Sequence, residues 1–163
     1  MLKEMNQKIT PFLWFNTQAE EAAKFYTSIF KNSKILTTTH YGKSGEEVSG
    51  QPSGTVMTVE FTLNDQHFTA LNGGPHFTFT EAISFVIDCK DQKEVDYYWE
   101  KLTSNGGQKG QCGWLKDKYG VSWQIVPRQL NEFLMKDKSG RVMQAMLKMK
   151  KIEIKELEEA SEE

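Results

Sequence analysis

The side chains of this 163-residue chain that could do chemistry are few: three histidines, two cysteines, and some amides and indoles set on apolar stretches. His40, His67 and His76 lack the i, i+4 spacing that puts two imidazoles on one helix face to grip a metal. His40 ends a strand-like stretch and His67 sits beside a turn, so both read as surface or hydrogen-bonded imidazoles. His76 follows Gly73-Gly74-Pro75 and precedes the alternating Phe77 and Phe79, a setting for a pocket mouth. An imidazole there suits a general acid or base, which makes His76 the catalytic candidate. Asn72 and Gln124 are neutral amides on apolar strands. They either bond to neighbouring backbone or orient a ligand carbonyl or hydroxyl. Trp14, Phe77 and Trp123 serve either as core or as a platform for a flat ligand, and with Asn72 and Gln124 they form the candidate ligand-binding set. Cys112 has no sequence neighbour to activate a thiolate.

These residues are positioned by a chain that repeats itself. Laying residues 9–29 over 82–102 without a gap, an offset of 73, sets Phe12 on Phe85, Leu13 on Val86, Glu21 on Glu94, Tyr26 on Trp99 and Ile29 on Leu102. Each half therefore reads as strand, helix, then further strands. In the first half, residues 9–16 form a strand, with Pro11 favouring an edge, and residues 17–30 an amphipathic helix capped by Asn16 or Thr17. Residues 33–41 are strand-like, 42–54 read as a mobile glycine-bearing loop, and 55–63 with 66–71 form a hairpin around Asn64 and Asp65. Residues 72–80 link to the second half. There, 82–89 is a strand, 91–105 a helix, and 112–116 with 121–126 a hairpin around residues 117–120. After Pro127 the pattern turns helical, with a methionine stripe at 143, 146 and 149, and an acidic end over 153–163 that is expected to fray.

Composition narrows the class. A formal charge of −2 gives no basic field, which argues against nucleic acid as a partner. No apolar run approaches the roughly 20 residues of a membrane helix. Residues 1–8 are polar and lack an apolar signal core, and two cysteines do not make a disulfide framework, so the expected location is cytoplasmic.

Two such β-α-β-β-β units resemble the vicinal oxygen chelate superfamily, which includes glyoxalases, dioxygenases and bleomycin-resistance proteins. Residues 112–127 (CGWLKDKYGVSWQIVP) resemble the signature of its PhnB-like branch, residues 71–75 (LNGGP) its mid-chain turn, and residues 143–157 a tail found in many members. The resemblance spans about residues 9–157. It implies an α+β fold of two tandem modules, 9–80 and 81–127, forming curved mixed sheets within one domain of residues 1–163. A helical tail over 128–163 completes the expected chain. Members often carry the label of a demethylubiquinone 3-methyltransferase. A nucleotide-type cofactor calls for a glycine-rich turn from strand into helix, whereas the densest glycine run, 106–113, follows a helix and leads into a strand.

In metal-using relatives the ligands, usually His and Glu, project from the first and last strands of each unit. Transferred here, those positions are Thr10 or Pro11, Thr69 or Ala70, Ser84, and Gln124. A divalent ion wants three or four His, Glu, Asp or Cys donors, so no metal and no other cofactor is expected. The resemblance implies a small organic ligand in a sheet-lined cavity, handled either by an atypical metal-free enzyme or by a non-catalytic protein that sequesters a drug-like compound between rings such as Trp14, Phe77 and Trp123. It also implies a homodimer; the methionine stripe packs either on the body of the chain or, as a dimer favours, on the second subunit.

Overall fold

The computed structural model describes residues 7–162. The chain divides into two compact units, Met1–Thr78 and Phe79–Glu163. In the first, strand β1 (Phe12–Phe15) leads into helix α1 (Ala19–Ile29), then β2 (Lys34–His40), α2 (Lys43–Ser49), β3 (Val56–Leu63) and β4 (Gln66–Asn72). The sheet order is β1-β4-β3-β2, so β1 lies at an edge, as Pro11 suggested. Strand β1 runs parallel to β4, with Phe12 opposite Thr69, and the other pairs are antiparallel. Asn64 and Asp65 both take positive φ, 48° and 62°, the requirement of the tight two-residue hairpin turn that joins β3 to β4.

One face of this sheet is sealed by α1. Ala19, Ala22, Ala23, Tyr26 and Ile29 are buried along it, and Tyr26 stacks on Phe61, which stacks on Phe68. The cap of α1 differs from expectation. Neither Asn16 nor Thr17 supplies it: Gln18 is the capping residue and makes no side-chain cap bond. The Ala19 N–H instead donates to Asn72 Oδ1 (2.8 Å), on a strand 53 residues away. Residues 43–49, read as loop from their glycines, form α2, closed by Gly50 in the left-handed region at φ 70°.

The second unit repeats the plan with β5 (Phe85–Cys89), α3 (Gln92–Thr103), β6 (Gln108–Lys109), β7 (Trp114–Lys116) and β8 (Ser122–Pro127), in the order β5-β8-β7-β6. The short edge strand β6 went unseen in the sequence. The offset of 73 matches the helices residue for residue: buried Ala22, Tyr26 and Ile29 fall on buried Val95, Trp99 and Leu102. It fails in the strands. Leu13 is buried whereas Val86 is 60% exposed, and the inward side chains of β5 run through Phe85, Ile87 and Cys89. The connection from strand to helix is one residue shorter in the second unit, and a one-residue slip flips every strand side chain to the other face.

Helices α4 (Leu130–Lys136), α5 (Arg141–Lys148) and α6 (Ile154–Glu162) follow. They enclose a core of their own, made of Leu130, Val142, Met149, Ile152 and Leu157, with Val126 and Met146 packed against it. Of the two places open to the methionine stripe, Met146 and Met149 take the body, packing in this core, while Met143 of the same stripe stays exposed. The acidic end does not fray at residue 153, because Ile154 and Leu157 anchor α6 in that core. No helix among the described residues is long and apolar enough to cross a membrane.

Candidate functional site

In the first unit, four of the sequence candidates meet at the turn that leaves β4. The Trp14 indole N–H donates to Gly74 O (2.9 Å). Gly73 lies flat against that ring, where a Cβ would come within 2.2 Å of an indole carbon, so only glycine fits. Phe77 meets Trp14 edge-on at a centroid distance of 4.9 Å, which leaves no gap between them for a third ring. Asn72 is 6% exposed and its amide is engaged at both ends. Its Oδ1 accepts from Ala19 and its Nδ2 donates to Val56 O (3.0 Å), while its own carbonyl accepts from the buried Tyr41 hydroxyl (2.5 Å). The backbone reading of Asn72 is therefore the one the geometry realises. His76 is exposed, and among the described residues no hydrogen bond orients its imidazole. A Cβ on Gly74 would touch the side chains of both Gln51 (3.5 Å) and His76 (3.6 Å).

In the second unit Trp123 is core. It is 3% exposed, packs on Phe85 at 5.4 Å, and donates its indole N–H to Asp117 Oδ2 (2.9 Å). Asp117 went unremarked in the sequence because an Asp at a hairpin reads as an ordinary turn residue. It is 2% exposed, and its Oδ1 also accepts from the N–H groups of Tyr119 (2.9 Å) and Val121 (3.1 Å), which fixes the turn between β7 and β8. Gln124 points the other way along β8, half-buried, with its Nε2 donating to Ser84 Oγ (2.9 Å).

That last contact occupies two of the expected metal-ligand positions, where Ser84 and Gln124 are a hydroxyl and an amide bonded to each other. Thr69 and Ala70 contribute no better donors. Among the described residues no group of three His, Cys, Asp or Glu side chains could hold a metal ion, so the residues present do not fit one. The glycine run does not fit a cofactor cradle either. The N–H groups of Gly107, Gly110 and Gly113 donate to the carbonyls of Ser104, Trp114 and Lys150, so these three do not turn toward a phosphate. Cys89 is inert as a nucleophile, its thiol pushed up to about 12 by burial and by the carboxylates of Glu94, Asp88 and Asp91.

What the sequence reading missed lies on the open face of the second sheet, opposite α3. There a cleft of about 170 Å³ is lined by Trp114, Lys116, Ser122, Gln108 and Glu81 among others. Glu81 is ion-paired with Lys116, and that hydrogen bond holds its carboxyl below the usual range. The missed signal was alternation: Trp114 and Lys116 on β7, and Ser122 and Gln124 on β8, are the polar or amphipathic positions between the buried Leu115, Trp123 and Ile125.

Comparison with known proteins agrees with this architecture. The family model for 3-demethylubiquinone-9 3-methyltransferase matches residues 7–126, stopping short of the Leu157 to which the sequence resemblance reached, so α4–α6 lie beyond it. The PhnB protein of Bacillus cereus is 39% identical, with a TM-score of 0.65, and the match covers 74% of this chain and 99% of that one. The protein PA1353 of Pseudomonas aeruginosa is 17% identical (TM-score 0.59, covering 75% of this chain and 98% of that one). The fosfomycin resistance protein FosX of Mesorhizobium loti is 12% identical (TM-score 0.55, covering 80% and 98%), a likeness of fold alone. No curated protein matches the sequence.

Proposed function

The chain belongs to the 3-demethylubiquinone-9 3-methyltransferase family, a PhnB-like branch of the vicinal oxygen chelate superfamily, and we propose that it binds a small organic molecule on the open face of its second sheet, without a chelated metal, as a homodimer. The observation that carries this reading is the cleft beside Gln124, walled by an indole and by polar side chains on a rigid three-stranded platform. Such a mixture of one apolar surface and a few fixed polar groups is what small-molecule sites present.

Binding is favoured over catalysis by the setting of His76. A general base needs a neighbour that orients it, and the exposed imidazole has none among the described residues. The ligand-orienting role passes from Asn72, whose amide is spent on backbone, to Gln124 and the cleft residues.

A thermal-shift screen over small metabolites and one-ring aromatic compounds tests this, because a ligand bound only by the native state raises the melting temperature. The expected result is a concentration-dependent rise for some members, unchanged by a chelator and by His76→Ala. A screen that moves nothing, or hits that vanish with the chelator, overturns the reading.

A further inference from the structure

The cleft carries more than a generic invitation to ligands. Register sets Gln108 opposite Lys116 on β6 and β7, and Lys116 opposite Ser122 on β7 and β8, so an amide, an ammonium and a hydroxyl stand in one row. Trp114, two residues before Lys116, faces the same side and borders the row with an indole.

Two features of the row are unexplained by folding. The Ser122 hydroxyl is buried, 2% exposed, and has no hydrogen-bond partner among the described residues. A buried hydroxyl left unpaired is a net cost, which a bound acceptor would remove. Lys116, in turn, is paired with a carboxylate that does not belong to the sheet. Its own side chain is 32% exposed, whereas that of Glu81, in the segment before β5, is 61% exposed. So solvated a partner contributes little and is easily exchanged.

We propose that this row binds the carboxylate of a small planar aromatic acid. Lys116, Gln108 and Ser122 donate to the carboxylate, Trp114 supports the ring, and Glu81 keeps the anion position filled until the ligand displaces it. The cleft volume of about 170 Å³ lies below the ~300–1,000 Å³ of sites for drug-sized molecules, so the occupant is a one-ring acid rather than a fused polycycle. This assignment rests on the small-molecule reading above and specifies its chemistry.

Calorimetric titration with benzoate, benzamide and inorganic phosphate tests it. Benzoate is expected to bind at least about tenfold more tightly than either of the others, the share of one charge-assisted hydrogen bond. Lys116→Met should weaken benzoate by about tenfold or more, and Ser122→Ala by several-fold while leaving the melting temperature of the free protein unchanged or raised. Glu81→Gln should tighten benzoate, because the competing carboxylate is gone; being at an exposed position, this variant stays informative if either of the others fails to fold. Equal binding of benzamide or phosphate, or a Glu81→Gln variant with unaltered affinity for benzoate, overturns the assignment. If neutral one-ring compounds bind and benzoate does not, the carboxylate assignment fails and the small-molecule reading stands. If no small organic compound binds, both fail.

Discussion

Asn72 shows how much one buried amide can organise. It caps a helix, ties down β3 and anchors a tyrosine through groups that all lie on different segments of its unit. Asn72→Ala leaves the Ala19 N–H and the Val56 carbonyl without partners, and is expected to cost about 2–4 kcal/mol in urea unfolding. Asn72→Asp keeps the acceptor for Ala19 but turns a carboxylate oxygen onto the Val56 carbonyl at a position only 6% exposed, so at pH 7 it should be destabilised as well, and less so once the carboxyl is protonated at low pH. Equal stability of all three would show that water takes over these bonds. The residue was visible in the sequence as an amide on an apolar strand, but its partners were not, because they are 16 and 53 positions away and no local rule reaches that far. The same limit hid Asp117, whose indole partner is on the next strand. It also hid Ser122 and Lys116, which become a pair only once the β7–β8 register is known.

At the scale of elements, the segment entering α6 is fastened to α3 by side chains. Gln92 on α3 donates to Ile152 O (3.1 Å) and accepts from Ile154 N (2.8 Å), and beside it Lys151 bridges Asp96 (2.5 Å) and Glu153 (3.0 Å). Burial pushes the Asp96 carboxyl up, but its bonds to Lys151 and Gln92 outweigh that and hold it below the usual range. Burial likewise pulls Lys151 down, and its carboxylate partners raise it above the ordinary lysine value. The signs follow. The contribution of Asp96 is present above the ordinary carboxylate range and is lost as pH falls through its lowered value, while that of Lys151 is lost only as pH climbs past its raised one. Amide protection across residues 149–154, corrected for the intrinsic exchange rate, should therefore fall as pH drops below about 4, and Asp96→Asn should flatten that dependence. An unchanged acid limb in the variant would remove Asp96 from the clasp. Helix periodicity made α1, α3 and α5 legible, since their apolar stripes recur over two turns or more. The strand phase was not legible, because a gapless overlay follows the bulky helix residues and passes silently over one missing residue in a connection.

For the whole molecule, the fold class came through the repeat, whereas assembly must be argued from surfaces. The first unit leaves Ile9 86% and Phe12 60% exposed before and on its edge strand β1, and the second leaves Ile83 65% and Val86 60% exposed before and on its edge strand β5. Bulky apolar side chains on edge strands are a hazard that chains ordinarily cover or charge, and here Pro11 before β1 and the exposed Asp88 on β5 answer it only in part, leaving these four side chains in the open. A second copy is the occupant that a self-complementary twofold contact would supply, since the same patches then meet without any other partner. With Met146 and Met149 already consumed by the tail core, the contact is expected through these edges rather than through the methionine stripe. Light scattering at micromolar concentration should return twice the 18.7 kDa chain mass, and Phe12→Asp combined with Val86→Asp should return the single mass with far-ultraviolet dichroism intact. A wild-type protein that scatters as one chain would sink the dimer. A double variant that still scatters as two would move the interface away from β1 and β5.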